Sequence, residues 1–221
     1  MIVITGASDG LGMELAKLYA TAGKTVINVS RKTCKYASHN FLHDLREGEG
    51  IIAAAKQITD LDEPLEALIN CAGVISFQEL GSITEDEIKR TMATNVKAPI
   101  MMVSSLIDRI KHDGTDIVNV ASTIGTKGYA DQAIYGASKW AVRGFSANLQ
   151  VELKDYPCRV ISFCPGGMKT KMFIKATGID STDDGGEWMS PSDVAECLKQ
   201  LLDLPKNMEV SEIIINRKAT K

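Results

Sequence analysis

Short runs of apolar residues alternate with longer segments of helical periodicity along the whole chain. The apolar runs are rich in valine and isoleucine and read as continuous, which is typical of parallel strands covered on both faces. They predict strands at about 2–5, 25–30, 41–43, 66–70, 115–121, 158–164 and 211–216. The segments between them predict helices at about 11–22, 50–58, 84–111, 133–154 and 191–203.

The order of these elements predicts an α/β fold. A strand–helix–strand rhythm with right-handed crossovers builds a doubly wound parallel sheet with helices on both faces. The last helix has a recognisable start, with Ser190 as N-cap and Pro191 at the first helical position. No repeat, low-complexity tract or linker interrupts the pattern, so we expect one domain over residues 1–221.

One loop-like segment stands out, at about 172–190, and it ends in Asp183-Asp184-Gly185-Gly186. It follows a late strand on the side of the sheet where ligands bind in such folds. Loops in that position often close over a ligand. We therefore expect this segment to act as a substrate lid.

The charge balance excludes two classes of partner. The chain has 25 lysines and arginines against 28 aspartates and glutamates, a net charge of −3. This argues against a general nucleic-acid or membrane-surface binder. Lys169, Lys171 and Lys175 form a local basic run, which we interpret as a solvated edge.

Cysteine and histidine spacing excludes disulfide and metal frameworks. Five cysteines are scattered without C-x-x-C spacing, an odd number that suggests reduced thiols. The three histidines have no ligand spacing, so no metal is expected. No segment resembles a secretory signal or approaches the roughly 18 apolar residues of a membrane span. These features predict a soluble, cytoplasmic protein.

A glycine-rich segment, Thr5-Gly6-Ala7-Ser8-Asp9-Gly10-Leu11-Gly12, links the first strand to the first helix. Glycine also marks ordinary turns, but this context favours a turn whose backbone approaches a pyrophosphate at a helix N-terminus. The G-K-[ST] ending of a nucleotide-hydrolysing loop is absent. The segment predicts a dinucleotide site, with contacts from Gly6, Ser8, Asp9, Gly10, Leu11 and Gly12.

The end of the second strand predicts which dinucleotide binds. An acidic residue there binds the ribose 2′-hydroxyl of NAD, whereas an arginine accepts the 2′-phosphate of NADP. This chain has no carboxylate at that point but has Arg31 and Lys32, which favours NADP(H) over NAD(H). Two observations oppose this: the cations could simply form a surface turn, and Asp9 adds a negative charge near the adenosine ribose.

Ser122, Tyr135 and Lys139 predict proton transfer. Tyr135 and Lys139 are four residues apart, so they share one face of a helix. A nearby cation lowers the pKa of a phenol from about 10, and Tyr135 would then act as acid and base. Ser122 follows a predicted strand and would hydrogen-bond the substrate oxygen. Individually, each residue is more simply a helix surface residue or a cap; together, beside a dinucleotide turn, they favour catalysis.

With Asp44-Leu45, Asn70-Cys71-Ala72-Gly73, Asn95 and Pro165-Gly166 with Thr170, these motifs resemble the short-chain dehydrogenase/reductase family over nearly the whole chain. The resemblance implies a Rossmann-type sheet of order 3-2-1-4-5-6-7 and a nicotinamide cofactor. It implies that Lys139 also holds the nicotinamide ribose and that Asn95 completes a proton relay through water. The remaining cofactor contacts it implies are Asp44 and Leu45 at the adenine, Asn70, Ala72 and Gly73 beneath the ribose, and Pro165, Gly166, Met168 and Thr170 at the carboxamide and pyrophosphate.

The leading hypothesis is NADP-dependent, reversible reduction of a small carbonyl compound to an alcohol. The lid segment is short compared with that of many relatives, which favours a small or open substrate site. The alternatives are NAD-dependent alcohol oxidation and, less favoured, a domain that senses NADP without turnover. The family also pairs helices like those at about 97–111 and 133–154, so a homodimer or homotetramer is expected.

Overall fold

A computed structural model of the protein describes residues 1–178 and 188–218, apart from the side chain of residue 177. Within these ranges lies a seven-stranded parallel sheet of order β3-β2-β1-β4-β5-β6-β7, as predicted. The strands are β1 (Ile2–Thr5), β2 (Val26–Ser30), β3 (His39–Leu42), β4 (Ala67–Asn70), β5 (Asp116–Val120), β6 (Val160–Pro165) and β7 (Glu212–Ile215).

Helices cover both faces of the sheet. They are α1 (Gly10–Thr21), α2 (Gly48–Thr59), α3 (Glu85–Met92), α4 (Ala98–Ser105), α5 (Ile107–Asp113), α6 (Ala133–Glu152), α7 (Lys171–Thr177) and α8 (Pro191–Leu202). Helices α2, α4, α5 and α6 share one hydrophobic cluster with the sheet, whereas α1 and α8 share the cluster on the opposite face.

The two clusters explain why the central strands are mostly apolar on both faces. Successive side chains of a strand point to opposite faces of its sheet. In β1, Val3 packs into the cluster of α2 and α6, while Ile2 and Ile4 pack into the cluster of α1 and α8. Each central strand is therefore buried on both sides, and its polar residues, such as Asn28 and Asn119, are buried and hydrogen-bonded.

The predicted helix at 84–111 is wrong as a continuous element. The chain forms α3, a π-helical turn at Ala93–Lys97, and then α4 with Pro99 in its first turn. Leu106 departs from helical geometry, with φ −108° and ψ 6°, and separates α4 from α5. A π turn inserts one residue into the helical ladder and re-aims the side chains around it.

The segment predicted to be a loop at 172–190 also needs correction, because its first part is helical. Helix α7 occupies Lys171–Thr177 and ends at Gly178, which has a left-handed φ of +72°. The Asp183–Gly186 stretch lies outside the described residues. The predicted start of the last helix is confirmed, since the Ser190 side chain accepts a hydrogen bond from the Ser192 N–H.

The described residues contain neither a membrane-spanning helix nor a cluster of metal-binding side chains. Residues 1–178 and 188–218 contain no helix long and apolar enough to span a bilayer. The same residues contain no group of three or more histidine, cysteine, aspartate or glutamate side chains placed to hold a metal ion.

Candidate active site at the carboxyl edge of the sheet

The residues predicted to bind cofactor or act in catalysis all lie at or near the carboxyl ends of the strands. This is the edge at which open α/β sheets bind ligands. Along the chain they are Gly6, Ser8, Asp9, Gly10, Leu11 and Gly12 after β1, Arg31 and Lys32 after β2, Asp44 and Leu45 after β3, Asn70, Ala72 and Gly73 at β4, Ser122 after β5, and Pro165, Gly166, Met168 and Thr170 at β6. Asn95 lies in the π turn, and Tyr135 and Lys139 lie on α6.

The turn after β1 is packed backbone against backbone. A Cβ added to Gly12 would lie 2.5 Å from the carbonyl oxygen of Gly6, and one added to Gly6 would lie 2.9 Å from Cα of Ala72. Gly6 and Gly10 also have positive φ, 73° and 53°, a conformation that glycine adopts without strain. The turn thus delivers the N-terminus of α1 to the sheet edge, an arrangement that fits a pyrophosphate.

Thr5 couples this turn to the next strand, a role that sequence reasoning missed. Its Oγ1 accepts hydrogen bonds from the N–H groups of Cys71 at 3.1 Å and Ala72 at 3.0 Å. The loops after β1 and β4 are therefore held together. Thr5 begins the glycine motif, which was the available signal, but its partners lie 66 and 67 residues away.

Buried polar side chains shape the turn that carries Arg31 and Lys32. The Asn28 amide donates to the Lys32 carbonyl and to Oδ1 of Asn40, both at 2.8 Å. The Ser30 hydroxyl also donates to the Lys32 carbonyl, at 2.7 Å. Both cationic side chains are exposed at the sheet edge. The turn is therefore fixed from beneath while its charges remain available to a ligand.

The carboxylate of Asp44 is already paired. Arg46 reaches it with Nη2 at 2.6 Å and Nε at 3.0 Å from Oδ2. Hydrogen bonding from Arg46 lowers the pKa of Asp44, and the charge of Arg31 adds a smaller effect in the same direction. Two predicted contacts, Leu11 and Leu45, are buried in the two hydrophobic clusters. Their side chains pack in the core, so only their backbone groups can face a cofactor.

Ser122, Tyr135 and Lys139 come together at the end of β5. Ser122 caps a short 3-10 turn, with its hydroxyl oxygen accepting from the Ile124 N–H at 3.4 Å. Tyr135 is buried near the start of α6, and the Ser122 side chain lowers its pKa. One helical turn later, the Lys139 ammonium donates to the Val120 carbonyl at 2.8 Å and lies 5.8 Å from the centroid of the Tyr135 ring.

Burial dominates the titration of this group, which corrects an expectation from the sequence. Burial raises the pKa of Tyr135 to about 12, and the hydrogen bond from Ser122 opposes that rise. Burial also lowers the pKa of Lys139 to about 8, although the nearby thiols of Cys71 and Cys164 act in the opposite direction. Loss of hydration disfavours the charged form of both groups. The pKa of the phenol in the protein alone is therefore raised, not lowered.

Asn95 uses its side chain to join three elements. Its Oδ1 accepts from the Val74 N–H at 2.8 Å, and its Nδ2 donates to the Val74 carbonyl at 2.9 Å and to the Ser138 hydroxyl at 3.0 Å. Ser138 in turn donates to the Tyr135 carbonyl at 2.7 Å. A Cβ on Gly73 would lie 3.5 Å from Oδ1 of Asn95 and 3.7 Å from Nζ of Lys139. Asn95, Gly73 and Lys139 thus converge, whereas the role of Ser138 was not predicted.

A buried polar chain runs behind the site. The Asn70 amide donates to Oδ1 of Asn119 at 2.9 Å, and the Asn119 amide donates to the Ser146 hydroxyl at 3.0 Å. The Oδ1 atom of Asn70 is buried without a hydrogen-bond partner among the described residues. A buried acceptor of this kind normally has a partner, and Asn70 ends β4 at the carboxyl edge of the sheet.

The loop after β6 closes the far side of the glycine turn. A Cβ on Gly10 would lie 3.3 Å from Cγ2 of Thr170. The Asp9 carboxylate approaches the Lys175 ammonium of α7 at 3.4 Å. Met168 pairs with Met189 through a short parallel bridge. The predicted pyrophosphate and carboxamide contacts therefore lie in loops that touch one another.

Two comparisons of the sequence with known proteins both point to the dehydrogenases. A family model described as short chain dehydrogenase matches residues 1–178. An uncharacterized oxidoreductase of Thermotoga maritima is 31% identical over 180 residues, covering 75% of this chain and 70% of the relative.

Solved structures share the fold. A serine dehydrogenase complexed with NADP+ matches with a TM-score of 0.86 at 23% identity, covering 97% of this chain and 94% of that one. A 4-hydroxyisoleucine dehydrogenase complexed with NADH matches with a TM-score of 0.83 at 24% identity, covering 97% and 95%. At these identities the structures establish the architecture alone.

Proposed function

The chain belongs to the short-chain dehydrogenase/reductase family of NAD(P)-dependent oxidoreductases, and from this premise we propose that it interconverts a small carbonyl compound and a secondary alcohol using NADP(H). The observation that carries the proposal is that Lys139 lies one helical turn from the buried Tyr135, 5.8 Å from its ring centroid, and is held at the end of β5, just before Ser122, by the Val120 carbonyl. When bound, the nicotinamide supplies or accepts the hydride.

The side chains divide the proton chemistry between them. During reduction, the carbonyl carbon gains a hydride and the carbonyl oxygen takes the proton from the Tyr135 phenol. The Ser122 hydroxyl donates a hydrogen bond to that same oxygen as negative charge develops on it. The Lys139 ammonium stabilises the phenolate that forms, through their proximity on α6. Oxidation of the alcohol follows the reverse course.

The groove offers complementary groups to each part of a dinucleotide. We assign the pyrophosphate to the turn from Gly6 to Gly12 and to Thr170, and the nicotinamide end to the segment from Pro165 to Met168. The adenosine end lies between Arg31 and the segment from Asn70 to Gly73. Asn70 supports this assignment, because its buried Oδ1 is an acceptor that lacks a partner among the described residues.

The choice of NADP rests on charge at the end of β2. Arg31 and Lys32 are exposed there, and a guanidinium can donate two parallel hydrogen bonds to the oxygens of a phosphate. The carboxylates that would oppose a 2′-phosphate are paired, Asp44 with Arg46 at 2.6 Å and Asp9 with Lys175 at 3.4 Å. The serine dehydrogenase neighbour carries NADP+ and the 4-hydroxyisoleucine dehydrogenase carries NADH. The second of these keeps NAD-dependent alcohol oxidation as the alternative.

Three further expectations belong to the same proposal. We infer one domain over residues 1–221, a cytoplasmic location, and association as a homodimer or homotetramer through the helices at about 97–111 and 133–154. The exposed Ile100 of α4 and the exposed Trp140 and Val151 of α6 support the association, since they leave apolar surface for a second copy.

A cofactor titration tests the proposal. Pure protein is titrated with NADPH and with NADH while nicotinamide fluorescence is followed, in the wild type and in Arg31→Ala. We expect NADPH to bind at least about tenfold more tightly than NADH, and Arg31→Ala to remove most of that difference through loss of a charge-assisted pair. The matched control is Lys35→Ala, which removes an exposed cation four residues away.

The outcomes separate the alternatives. If the wild type prefers NADH, the NADP-dependent reductase hypothesis is wrong and NAD-dependent alcohol oxidation takes its place. Binding of neither nucleotide would overturn the enzyme proposal as a whole. An equal loss of NADPH affinity in Lys35→Ala would show that general charge, not the position of Arg31, determines binding.

A further inference from the structure

Three aromatic rings form a continuous row at the carboxyl edge of the sheet. Phe77 contacts Phe173 edge-to-face, with ring centroids 5.6 Å apart and an interplanar angle of 88°. Phe173 contacts Trp188 with centroids 4.5 Å apart. All three side chains are half-buried. We call Phe77, Phe173 and Trp188 the aromatic wall.

The strand order places this wall next to the reacting groups. In the sheet, β5 lies between β4 and β6. Phe77 belongs to the segment after β4, whereas Phe173 and Trp188 belong to the segment after β6. The row of rings therefore spans from one flank of β5 to the other, at the edge where Ser122 ends that strand. The rings therefore lie on the same edge of the sheet as Ser122 and the start of α6.

Backbone contacts hold the Trp188 end of the wall. The Met189 N–H donates to the Gly167 carbonyl at 3.2 Å, and the Lys169 N–H donates to the Met189 carbonyl at 3.0 Å. A Cβ on Gly167 would lie 2.9 Å from the indole ring, so the absence of a side chain lets the ring lie against this loop. The Arg217 guanidinium lies 4.8 Å from the ring centroid. These contacts make the wall a fixed surface.

We propose that the aromatic wall receives the non-reacting substituent of the substrate, and that the enzyme prefers carbonyl compounds bearing an aryl group. This inference rests on the proposed function and names the substrate class for the same site. Aromatic side chains favour an aromatic partner through edge-to-face and offset contacts in addition to buried area. A negatively charged substituent would lose hydration against these rings, and Arg217 at the Trp188 end is the cation that could offset that loss, so a charged substrate belongs in the test.

Substrate selectivity tests the wall. Phenylacetone and cyclohexylacetone have rings of similar size, and neither carbonyl group is conjugated with its ring. Their comparison therefore isolates the contact with the aryl group. Acetoacetate tests a charged substituent. With NADPH, we expect kcat/KM to be highest for phenylacetone. Phe173→Leu should lower kcat/KM for phenylacetone about 3- to 10-fold and for cyclohexylacetone less than about twofold. Tyr156→Leu, which changes an exposed aromatic residue at the opposite edge of the sheet, should leave both values unchanged.

A binding measurement supplies a readout that does not depend on turnover. The chain has two tryptophans, Trp140 and Trp188, so a Trp140→Phe variant reports on Trp188 alone. Addition of phenylacetone to this variant with NADP+ should shift the Trp188 emission with a saturable dependence. Cyclohexylacetone should produce a weaker shift, at a higher half-saturating concentration.

The results distinguish a failure of this inference from a failure of the proposed function. If the wild type reduces cyclohexylacetone or acetoacetate as well as phenylacetone, and Phe173→Leu leaves the ratio unchanged, the aryl preference is wrong while the reductase proposal stands. If no carbonyl compound is reduced and neither nucleotide binds, the proposed function falls and this inference falls with it.

Discussion

At the scale of single residues, burial determines the protonation state of Tyr135. With a pKa near 12, the phenol keeps its proton at neutral pH, which is the form needed to protonate a developing alkoxide. Oxidation requires the phenolate, and a positive charge brought next to the phenol would lower its pKa toward that form. The charge of Lys139, whose pKa burial lowers to about 8, is the nearest such charge on α6.

The first prediction removes only the Tyr135 hydroxyl. Tyr135→Phe should lower kcat/KM for carbonyl reduction by about 10²- to 10⁴-fold, because general acid catalysis contributes a factor of that size. The NADPH dissociation constant should change little, since the ring remains in place. Steady-state kinetics and the fluorescence titration measure the two effects separately.

Tyr129→Phe is the matched control, since Tyr129 is an exposed phenol on the loop that follows Ser122. It should keep wild-type kcat/KM. If Tyr135→Phe retained more than about a tenth of the wild-type activity, another group would have to donate the proton, and the assignment of Tyr135 would be wrong.

Two kinds of residue could be predicted from the sequence: those whose partners are local, and those that stand in a family motif, such as Asn95. Tyr135 and Lys139 are one helical turn apart, and Ser122 follows a strand whose apolar pattern is clear. Thr5 and Ser138 were not predicted, because their hydrogen bonds reach residues 67 and 43 positions away. Such partners are defined only once the sheet and helices are assembled.

At the scale of elements, the glycine turn and α1 form one unit. Helix α1 packs its buried face, including Leu15, against the sheet and α8, and this packing sets how closely its first turn approaches Gly6. Gly12 belongs to α1, and the atom it approaches is the backbone carbonyl oxygen of Gly6. Neither the helix nor that backbone can move aside as a flexible side chain does.

The second prediction concerns this contact. Gly12→Ala would place a Cβ 2.5 Å from the Gly6 carbonyl oxygen, so the turn must shift. We expect the NADPH dissociation constant to rise at least about tenfold and the protein to lose about 1–3 kcal/mol of unfolding free energy through overpacking. Fluorescence titration and chemical denaturation measure these two quantities.

Gly144→Ala is the matched control within a helix. Gly144 is exposed on α6, and an added Cβ there meets no atom within 4 Å. Alanine should raise the free energy of unfolding by about 0.5–1 kcal/mol and leave NADPH binding unchanged. Unaltered NADPH affinity in Gly12→Ala would show that the turn does not approach the cofactor.

The strands and helices were predicted correctly where the hydrophobic pattern is clear. Predictions failed where tertiary contacts determine the local backbone conformation or where a helix is very short. The strands were located by continuous apolar runs, and their parallel arrangement followed from the helices between them. The π turn at 93–97 escaped prediction because it depends on Asn95 reaching Val74, on a different element. Helix α7 was missed because its seven residues are too few for helical periodicity to be recognised.

At the scale of the molecule, the two edges of the sheet have different tasks. The carboxyl edge carries the candidate active site, whereas the amino edge carries a buried ion pair between Asp116 and Arg159. Nη2 of Arg159 lies 2.6 Å from Oδ2 of Asp116, and both side chains are about 95% buried. Arg159 also donates to the carbonyl groups of Leu202 at 2.8 Å and Leu204 at 2.9 Å. It thereby attaches the end of α8 to the sheet.

The third prediction is that this pair contributes to stability without contributing to cofactor binding. Arg159→Met should lower the free energy of unfolding by about 3 kcal/mol, the lower end of the range for breaking a buried pair. The lower end applies because Lys206 remains 2.8 Å from Oδ1 of Asp116 and keeps that carboxylate partly compensated. The NADPH dissociation constant should remain within about twofold of the wild-type value, because the pair lies at the opposite edge of the sheet.

A double variant separates the loss of the ion pair from the exposure of an unpaired charge. In Arg159→Met/Asp116→Leu no buried carboxylate is left without its partner, and apolar replacements of buried pairs are often neutral. The double variant should therefore be more stable than Arg159→Met alone in chemical denaturation. If it were less stable, the contacts of Arg159 with the α8 carbonyls would be the dominant contribution. If either variant also bound NADPH more weakly, the two edges would be coupled through the sheet, and the ion pair would not act on stability alone.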